Sequence, residues 1–290
     1  MAVDVAHLET SPADKPKSEP TARAIEDRRD GSWAPMLEPT PGGLAERFAT
    51  AISPAHPVRV FLAAILSGYA ILLALTIAVG FLLTRVLLKI DGFAAFDERV
   101  SRAIVRERTG TTVDLSWIGS TLAGGLVIPA LVGLLLVVFL VSKHWRLAAF
   151  TLFVICVESG TYRATSLVIH RDRPDVDRLE SLPVNASYPS GHTAASVALF
   201  GGLLIVLASR IQNRAIRIIL WSLVVVIPVF VAWSRMLRGM HHISDVAAGV
   251  LMGIAALCIT IFAARAAGAA AAQRDAAQAM TTTETTEGKA

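Results

Sequence analysis

The sequence has few of the residues that staple small folds together. It carries two cysteines in 290 residues. Both, Cys156 and Cys258, fall inside apolar runs. Neither a disulfide framework nor a cysteine metal site is expected from them, and they read as small packing residues. Lysine is scarce as well, five against 22 arginines, a bias that reflects genome composition more than function. The net charge of +4 and the pI of about 9.4 do not indicate nucleic acid, because the basic residues lie in short loops between apolar runs and form no basic soluble face. No short apolar core with a small-residue cleavage site stands near the start, so no cleaved signal peptide is expected, and the first apolar run is expected to anchor and target the chain. No internal repeat is evident.

What the chain has is apolar residue, 54% of the total, with a mean hydropathy of +0.57. Soluble domains sit near 45–50%. The excess is gathered into long runs separated by short charged loops, the pattern of a polytopic membrane protein. Six spans are expected: Val60 to Thr84, Leu115 to Ser142, Leu147 to Ile169, Gly191 to Ser209, Ile218 to Ser234 and His242 to Ala264. A hydrocarbon core of about 30 Å takes about 20 helical residues, and open strands would leave backbone groups unpaired in lipid. The expected fold is therefore all-α, a polytopic membrane helical bundle with six transmembrane helices. Residues 1–56 hold seven of the 13 prolines and little apolar periodicity, and read as a disordered tail. Residues 57–265 form the membrane domain and 266–290 a C-terminal tail that extends the last helix and then frays.

Between the first two spans, Phe93, Phe96, Val100 and Ile104 recur at helical spacing with Arg99, Arg102 and Arg106 interleaved. This fits either a helix lying in the membrane interface or a surface helix covering the bundle end. Gly249 and Gly253, four apart, suggest close helix packing. Six spans put both termini on one side and loops 1–2, 3–4 and 5–6 on the other. Counting arginines does not orient the bundle, because both sets of loops carry them.

Polar groups at helix mouths in such a chain are candidates for chemistry. Loop 3–4 contains Arg171-Asp172-Arg173-Pro174 and Pro189-Ser190-Gly191-His192; loop 5–6 contains Ser234-Arg235, His241 and Asp245. Ser190 stands where an N-cap would, and the free amides of a helix start attract anions. Arg173 and Arg235 add guanidinium groups suited to phosphate oxygens. His241 and Asp245 are four apart, so a helix would place them on one face, the carboxylate fixing the ring tautomer while the other nitrogen attacks. His192 could protonate a leaving oxygen. Each feature alone is ordinary, as an interfacial anchor, a cap or a surface pair. Their joint presence in three separate segments points to a phosphoryl-transfer site.

At these residues the sequence resembles the type 2 phosphatidic acid phosphatase superfamily. That pattern runs Lys, six residues, Arg-Pro; then Pro-Ser-Gly-His; then Ser-Arg, five residues, His, three residues, Asp. Arg173-Pro174 matches the end of the first part, Pro189 to His192 the second, and Ser234-Arg235, His241 and Asp245 the third. The resemblance covers roughly residues 60–265. It implies His241 as nucleophile, Asp245 as its orienting acid, His192 as general acid, and Arg173, Ser190, Gly191 and Arg235 as phosphate ligands. It also implies a phosphohistidine intermediate, no metal or other cofactor, and a site on the extracytoplasmic face with both termini cytoplasmic. The family's lysine falls at Ser166, and Arg171 or, one turn earlier, Arg163 could supply the missing cation; Arg171 is the expectation taken here. Glu158, inside the third span, reads either as a contact to a site arginine or a proton handler or, the reading favoured, as a hydrogen-bonding group between helices with Tyr162 or another buried donor as its partner.

The function expected is hydrolysis of a lipid phosphate or diphosphate held in the bilayer, with undecaprenyl diphosphate the specific expectation and no nucleic-acid partner. Two alternatives remain. A vanadium-dependent haloperoxidase shares the anion cradle but is soluble. A lipid-phosphate binding or transport protein would keep the fold without the chemistry.

Overall fold

The computed structural model describes residues 34–52, 56–181 and 186–287. Ten α-helices hold most of the described residues: α1 (Leu44–Ile52), α2 (Pro57–Arg85), α3 (Asp91–Arg106), α4 (Gly110–Leu122), α5 (Val127–Val141), α6 (Trp145–Val168), α7 (Gly191–Ala195), α8 (Gly202–Ala208), α9 (Arg214–Leu237) and α10 (Ile243–Glu287). Five helical segments are long and apolar enough to cross a membrane. The sixth pass is the pair α4 and α5, bent by 45°. The span expected between Leu115 and Ser142 falls on this pair, which is broken at residues 123–126. Gly124 and Gly125 break it, since glycine costs a helix about 1 kcal/mol per residue relative to alanine. The fourth pass is continuous from α7 to α8 through a π-helical segment, Ser196–Gly201.

Helix ends follow local chemistry. His56 caps α2, its Nδ1 accepting from Val58 N at 3.3 Å ahead of Pro57. Thr109 and Thr112 form a reciprocal cap on α4. Asn213 caps α9 through Ile216 N at 3.2 Å. The start of α10 uses Asp245 in the same way: its carboxylate reaches back to His242 N at 2.8 Å.

α10 is the central helix and packs along α2, α1, α6 and α7. The expected close packing at Gly249 and Gly253 is present. A Cβ at Gly249 would sit 2.5 Å from the Ser190 carbonyl oxygen, and one at Gly253 2.6 Å from that of Ala194. Only glycine allows α10 this near to α7, and the approach brings together two of the sequence segments singled out for chemistry.

Several expectations change. Residues 34–52 were read as part of a disordered tail, yet a 3-10 turn at Pro35–Leu37 and α1 are docked on the bundle. Arg265 Nε donates to Met36 O at 3.0 Å, Arg146 Nη2 to Leu37 O at 2.6 Å, and Arg146 pairs with Glu38. Ala45 and Ala49 pack against Ala266, Ala269 and Ala270. Nine residues between prolines are too short for periodicity to show. The rest of that tail, residues 1–33 and 53–55, lies outside the described residues. The last helix continues past residue 265 without a break, as expected of the alanine-rich tail. Cys156 and Cys258 are free and exposed, not packed inside. Glu158 is buried, but its Oε2 accepts from Ser159 Oγ at 2.8 Å, and Tyr162 is not its partner.

Counting the bent pair as one pass, six passes put the ends of α6 and α9 and the starts of α7 and α10 at one end of the bundle, away from the termini. α3 lies across that end. Its Val100 and Ile104 pack with Met236 and Val246, and Phe93 packs near Leu83 and Tyr188, while Phe96 is half exposed.

Candidate active site

His241 stands in the turn between α9 and α10, 3% exposed. Its Nδ1 lies 2.7 Å from the carbonyl oxygen of Ser187. A carbonyl only accepts, so Nδ1 carries the proton and Nε2 keeps a lone pair. Burial first, then the charge of Arg235, holds the ring's pKa well below its ordinary value against the opposing pull of Asp245. The ring is thus neutral at neutral pH, the form that can attack.

Asp245 does not bond His241. The four-residue spacing places two side chains together only inside one helix, and α10 begins at Ile243, after His241. The carboxylate instead accepts from Ser187 Oγ at 2.5 Å, from His242 N at 2.8 Å and from Arg171, and lies 3.2 Å from His242 Nδ1. Ser187 links the two expected partners. Its hydroxyl meets Asp245, its carbonyl meets His241, and its own N–H donates to Arg171 O at 2.9 Å. Asp245 and His241 are therefore linked through Ser187.

Arg171 departs from its expected role. Its guanidinium pairs with Asp245 and Asp97 and donates to Ser244 Oγ at 2.8 Å. Both terminal nitrogens are committed to carboxylates and Nε alone has no partner among the described residues, so Arg171 has no forked edge to offer a phosphate in place of the absent lysine. Ser166 is no substitute either: its Oγ donates to the carbonyl of Arg163, its own helix, at 3.0 Å. Arg163 is exposed.

The remaining expected groups converge. Arg173 holds two loop carbonyls, Met240 O at 2.5 Å and Ala186 O at 3.1 Å. Burial first, then Arg235, depresses its pKa. Ser190 N donates to Asp245 O at 3.1 Å, tying α7 to α10, and Ser190 Oγ lies 2.9 Å from Thr193 Oγ1. Ser190 thus occupies the N-cap position without a side-chain cap. Gly191 lies against Tyr162, whose ring would come within 3.0 Å of a Cβ there. His192 follows on the first turn, half-buried, and interacts electrostatically with His241, Arg235 and Arg173. Arg235 is fully buried. Its Nη1 meets Ser120 and Glu180, while its Nε and Nη2 have no partner among the described residues. Unpaired buried donors are rare and ask for an acceptor.

Several site residues carry no signal in the sequence. Asp97, on α3, is 1% exposed and meets Arg171 and Ser244, with Oδ1 3.2 Å from Ser244 N and Oδ2 2.5 Å from its Oγ. The adjacent Glu98 lies 3.3 Å from His242 Nε2. Glu180 binds Arg235 and Arg238. None belongs to a motif, and each finds its partner far along the chain. Arg238, one helical turn past Arg235, was the one available hint.

The model of the PAP2 superfamily matches residues 143–268. No curated protein matches the sequence. Among solved structures, the chain is similar to a transmembrane PAP2-type phosphatidylglycerolphosphate phosphatase from Bacillus subtilis. The likeness has 21% identity and a TM-score of 0.55, and covers 70% of this chain and 93% of that one. It is also similar to LpxE of Aquifex aeolicus, at 23% identity and a TM-score of 0.44, over 56% of this chain and 92% of that one.

Proposed function

We propose that this chain, whose residues 143–268 match the model of the PAP2 superfamily, is a membrane phosphatase of that kind, acting on lipid phosphates through a phosphohistidine on His241. The observation that carries the reading is the pairing of a neutral, buried His241, with its Nε2 lone pair available, and a buried Arg235 with two unpartnered nitrogens. A phosphoryl group supplies what each lacks, an electrophile for one and acceptor oxygens for the other.

In the proposed reaction, Nε2 of His241 forms a bond to phosphorus as the bond from phosphorus to the lipid oxygen breaks. His192 gives that oxygen its proton. A water then attacks the phosphohistidine, His192 takes a proton from it, and inorganic phosphate leaves. Arg235, Arg173 and the first-turn amides after Ser190 stabilise the charge that builds on the equatorial oxygens. Asp245, held by Arg171 and Ser187, keeps the loop carbonyl on His241 Nδ1. The chemistry needs no group beyond these side chains.

A site at the helix mouths suits a substrate whose hydrocarbon stays in the bilayer while its phosphate enters the bundle end. We place that end on the extracytoplasmic side with both termini in the cytoplasm, and put undecaprenyl diphosphate first among substrates, since release of a spent polyprenyl carrier occurs on that side. The relative from Bacillus subtilis makes phosphatidylglycerol phosphate the natural comparison.

The test is phosphate release by purified wild type and His241→Ala from a panel of undecaprenyl diphosphate, phosphatidylglycerol phosphate and phosphatidate. Release by wild type and none by the variant supports the reading. Turnover that survives in the variant sinks the mechanism, and preference for another lipid redirects the substrate assignment alone.

A further inference from the structure

The nitrogen of Arg235 that is not available to a phosphate is held by residues from two other parts of the molecule. Nη1 donates to Ser120 Oγ and to Glu180 Oε2, the latter at 2.7 Å. Ser120 in turn donates to Glu180 Oε1 at 2.8 Å, so its one hydroxyl accepts from the arginine and donates to the carboxylate. Glu180 Oε1 also accepts from Arg238 Nε, and Arg238 Nη1 reaches Ser116 Oγ at 3.2 Å. Ser116 and Ser120 are four apart on α4 and share a face. Between them, Gly119 lets α4 touch α9, for a Cβ there would lie 2.9 Å from Ser234 Cβ. α4 lies outside the segment that matches the PAP2 model.

This cluster has one consequence for chemistry. A guanidinium is planar, so fixing Nη1 between a hydroxyl and a carboxylate fixes the direction of the opposite edge. That edge, Nε and Nη2, is the one without a partner. It is also the edge that can take two phosphate oxygens in forked geometry. Glu180 further balances the charge of Arg235 and Arg238, so two buried guanidiniums coexist one turn apart.

We propose that Glu180, with Ser120, is a positioning residue for the reaction, aiming the Nε–Nη2 edge of Arg235 at the phosphoryl group. The inference rests on the phosphatase reading. A merely structural Glu180 would staple the loop to α4 and leave phosphate affinity alone, and the two roles separate on anion binding.

The experiment uses the full chain in detergent and reads inhibition of phosphate release by orthovanadate, a mimic of the transferring phosphoryl group, beside the melting temperature. Glu180→Ala is expected to weaken vanadate inhibition about 10- to 100-fold. Glu180→Gln, which keeps an acceptor oxygen for Nη1, is expected to recover most of that loss. In an Arg235→Ala background the Glu180→Ala change should add less than about 2-fold, because it acts through that arginine. Wild-type inhibition in Glu180→Ala, or additive losses in the double variant, would overturn the inference. Should Glu180→Ala fail to fold, Glu180→Gln and Ser120→Ala carry the test, Ser120→Ala with an expected loss of about 3- to 10-fold; wild-type values in both overturn it. If wild type itself releases no phosphate and binds no vanadate, the phosphatase reading falls and this inference with it. An active, vanadate-sensitive wild type beside an unaltered Glu180→Ala removes the inference alone.

Discussion

Arg171 and Arg235 are both buried at the same end of the bundle, and both meet carboxylates, yet their surroundings differ. Arg171 lies between Asp97 and Asp245 with Ser244 beside it. Arg235 has one nitrogen held by Glu180 and Ser120 and two left unpartnered. The first network is a wall behind His241, in which both terminal nitrogens of the guanidinium meet carboxylates and Nε alone is without a partner among the described residues. The second, the cradle, leaves the Nε–Nη2 edge open, and that edge is where our proposal puts the phosphoryl group. Burial and charge alike do not tell the two arginines apart. The edge left open does: Nε alone at Arg171, Nε together with Nη2 at Arg235.

The largest effect expected from breaking this contrast is on folding. Arg171→Ala strands two buried carboxylates and should cost about 3–5 kcal/mol of stability, read as a large drop in melting temperature or a failure to accumulate folded protein. Arg235→Ala should leave the fold closer to intact and lower turnover by about 10²- to 10³-fold, the usual loss when a donor to the developing oxyanion is removed. Steady-state kinetics on both variants, corrected for folded fraction, checks the difference. A folded Arg171→Ala with vanadate affinity reduced as far as in Arg235→Ala would collapse the distinction between wall and cradle.

Asp97→Asn should cost about 1–3 kcal/mol of stability and reduce turnover through a loosened Arg171 and Asp245, while vanadate affinity stays near wild type. The smallest effect is in pH. Burial alone would raise the pKa of Glu180, but Arg235, Ser120 and Arg238 together hold it down at about 2. A depressed carboxylate stabilises the fold above its unfolded pKa of about 4.5 and loses that contribution as pH falls toward 2. The melting temperature of wild type should therefore drop between pH 4.5 and the lower limit of measurement more steeply than that of Glu180→Gln. Parallel curves would contradict the pairing.

Legibility from sequence divides along the same line. The helical membrane fold could be read because apolar runs of bilayer length have few other outcomes, and Pro189 to His192 and Ser234 to Asp245 could be read because their spacing is local. The wall could not. Asp97 looks like any acid on an amphipathic helix, and only the packing of α3 over the bundle end carries it to Arg171. Arg171 itself was misassigned, because a free-looking arginine two residues from Arg173 gives no sign of two carboxylates folded against it. The link from His241 to Asp245 was drawn directly where the chain routes it through Ser187, since helical spacing was applied across a helix start. Glu180 and Ser120 were missed for the same reason as Asp97, being brought to Arg235 by tertiary packing.

The central claim is that His241 Nε2 takes the phosphoryl group. It is tested most directly by rapid quench of the enzyme turning over a ³²P-labelled lipid phosphate, followed by mapping of the label on the chain. The account predicts an acid-labile, base-stable phosphoryl group on His241 that forms and decays at the rate of turnover and is absent, along with activity, in His241→Ala. Label on another residue, or full turnover in His241→Ala, would contradict it.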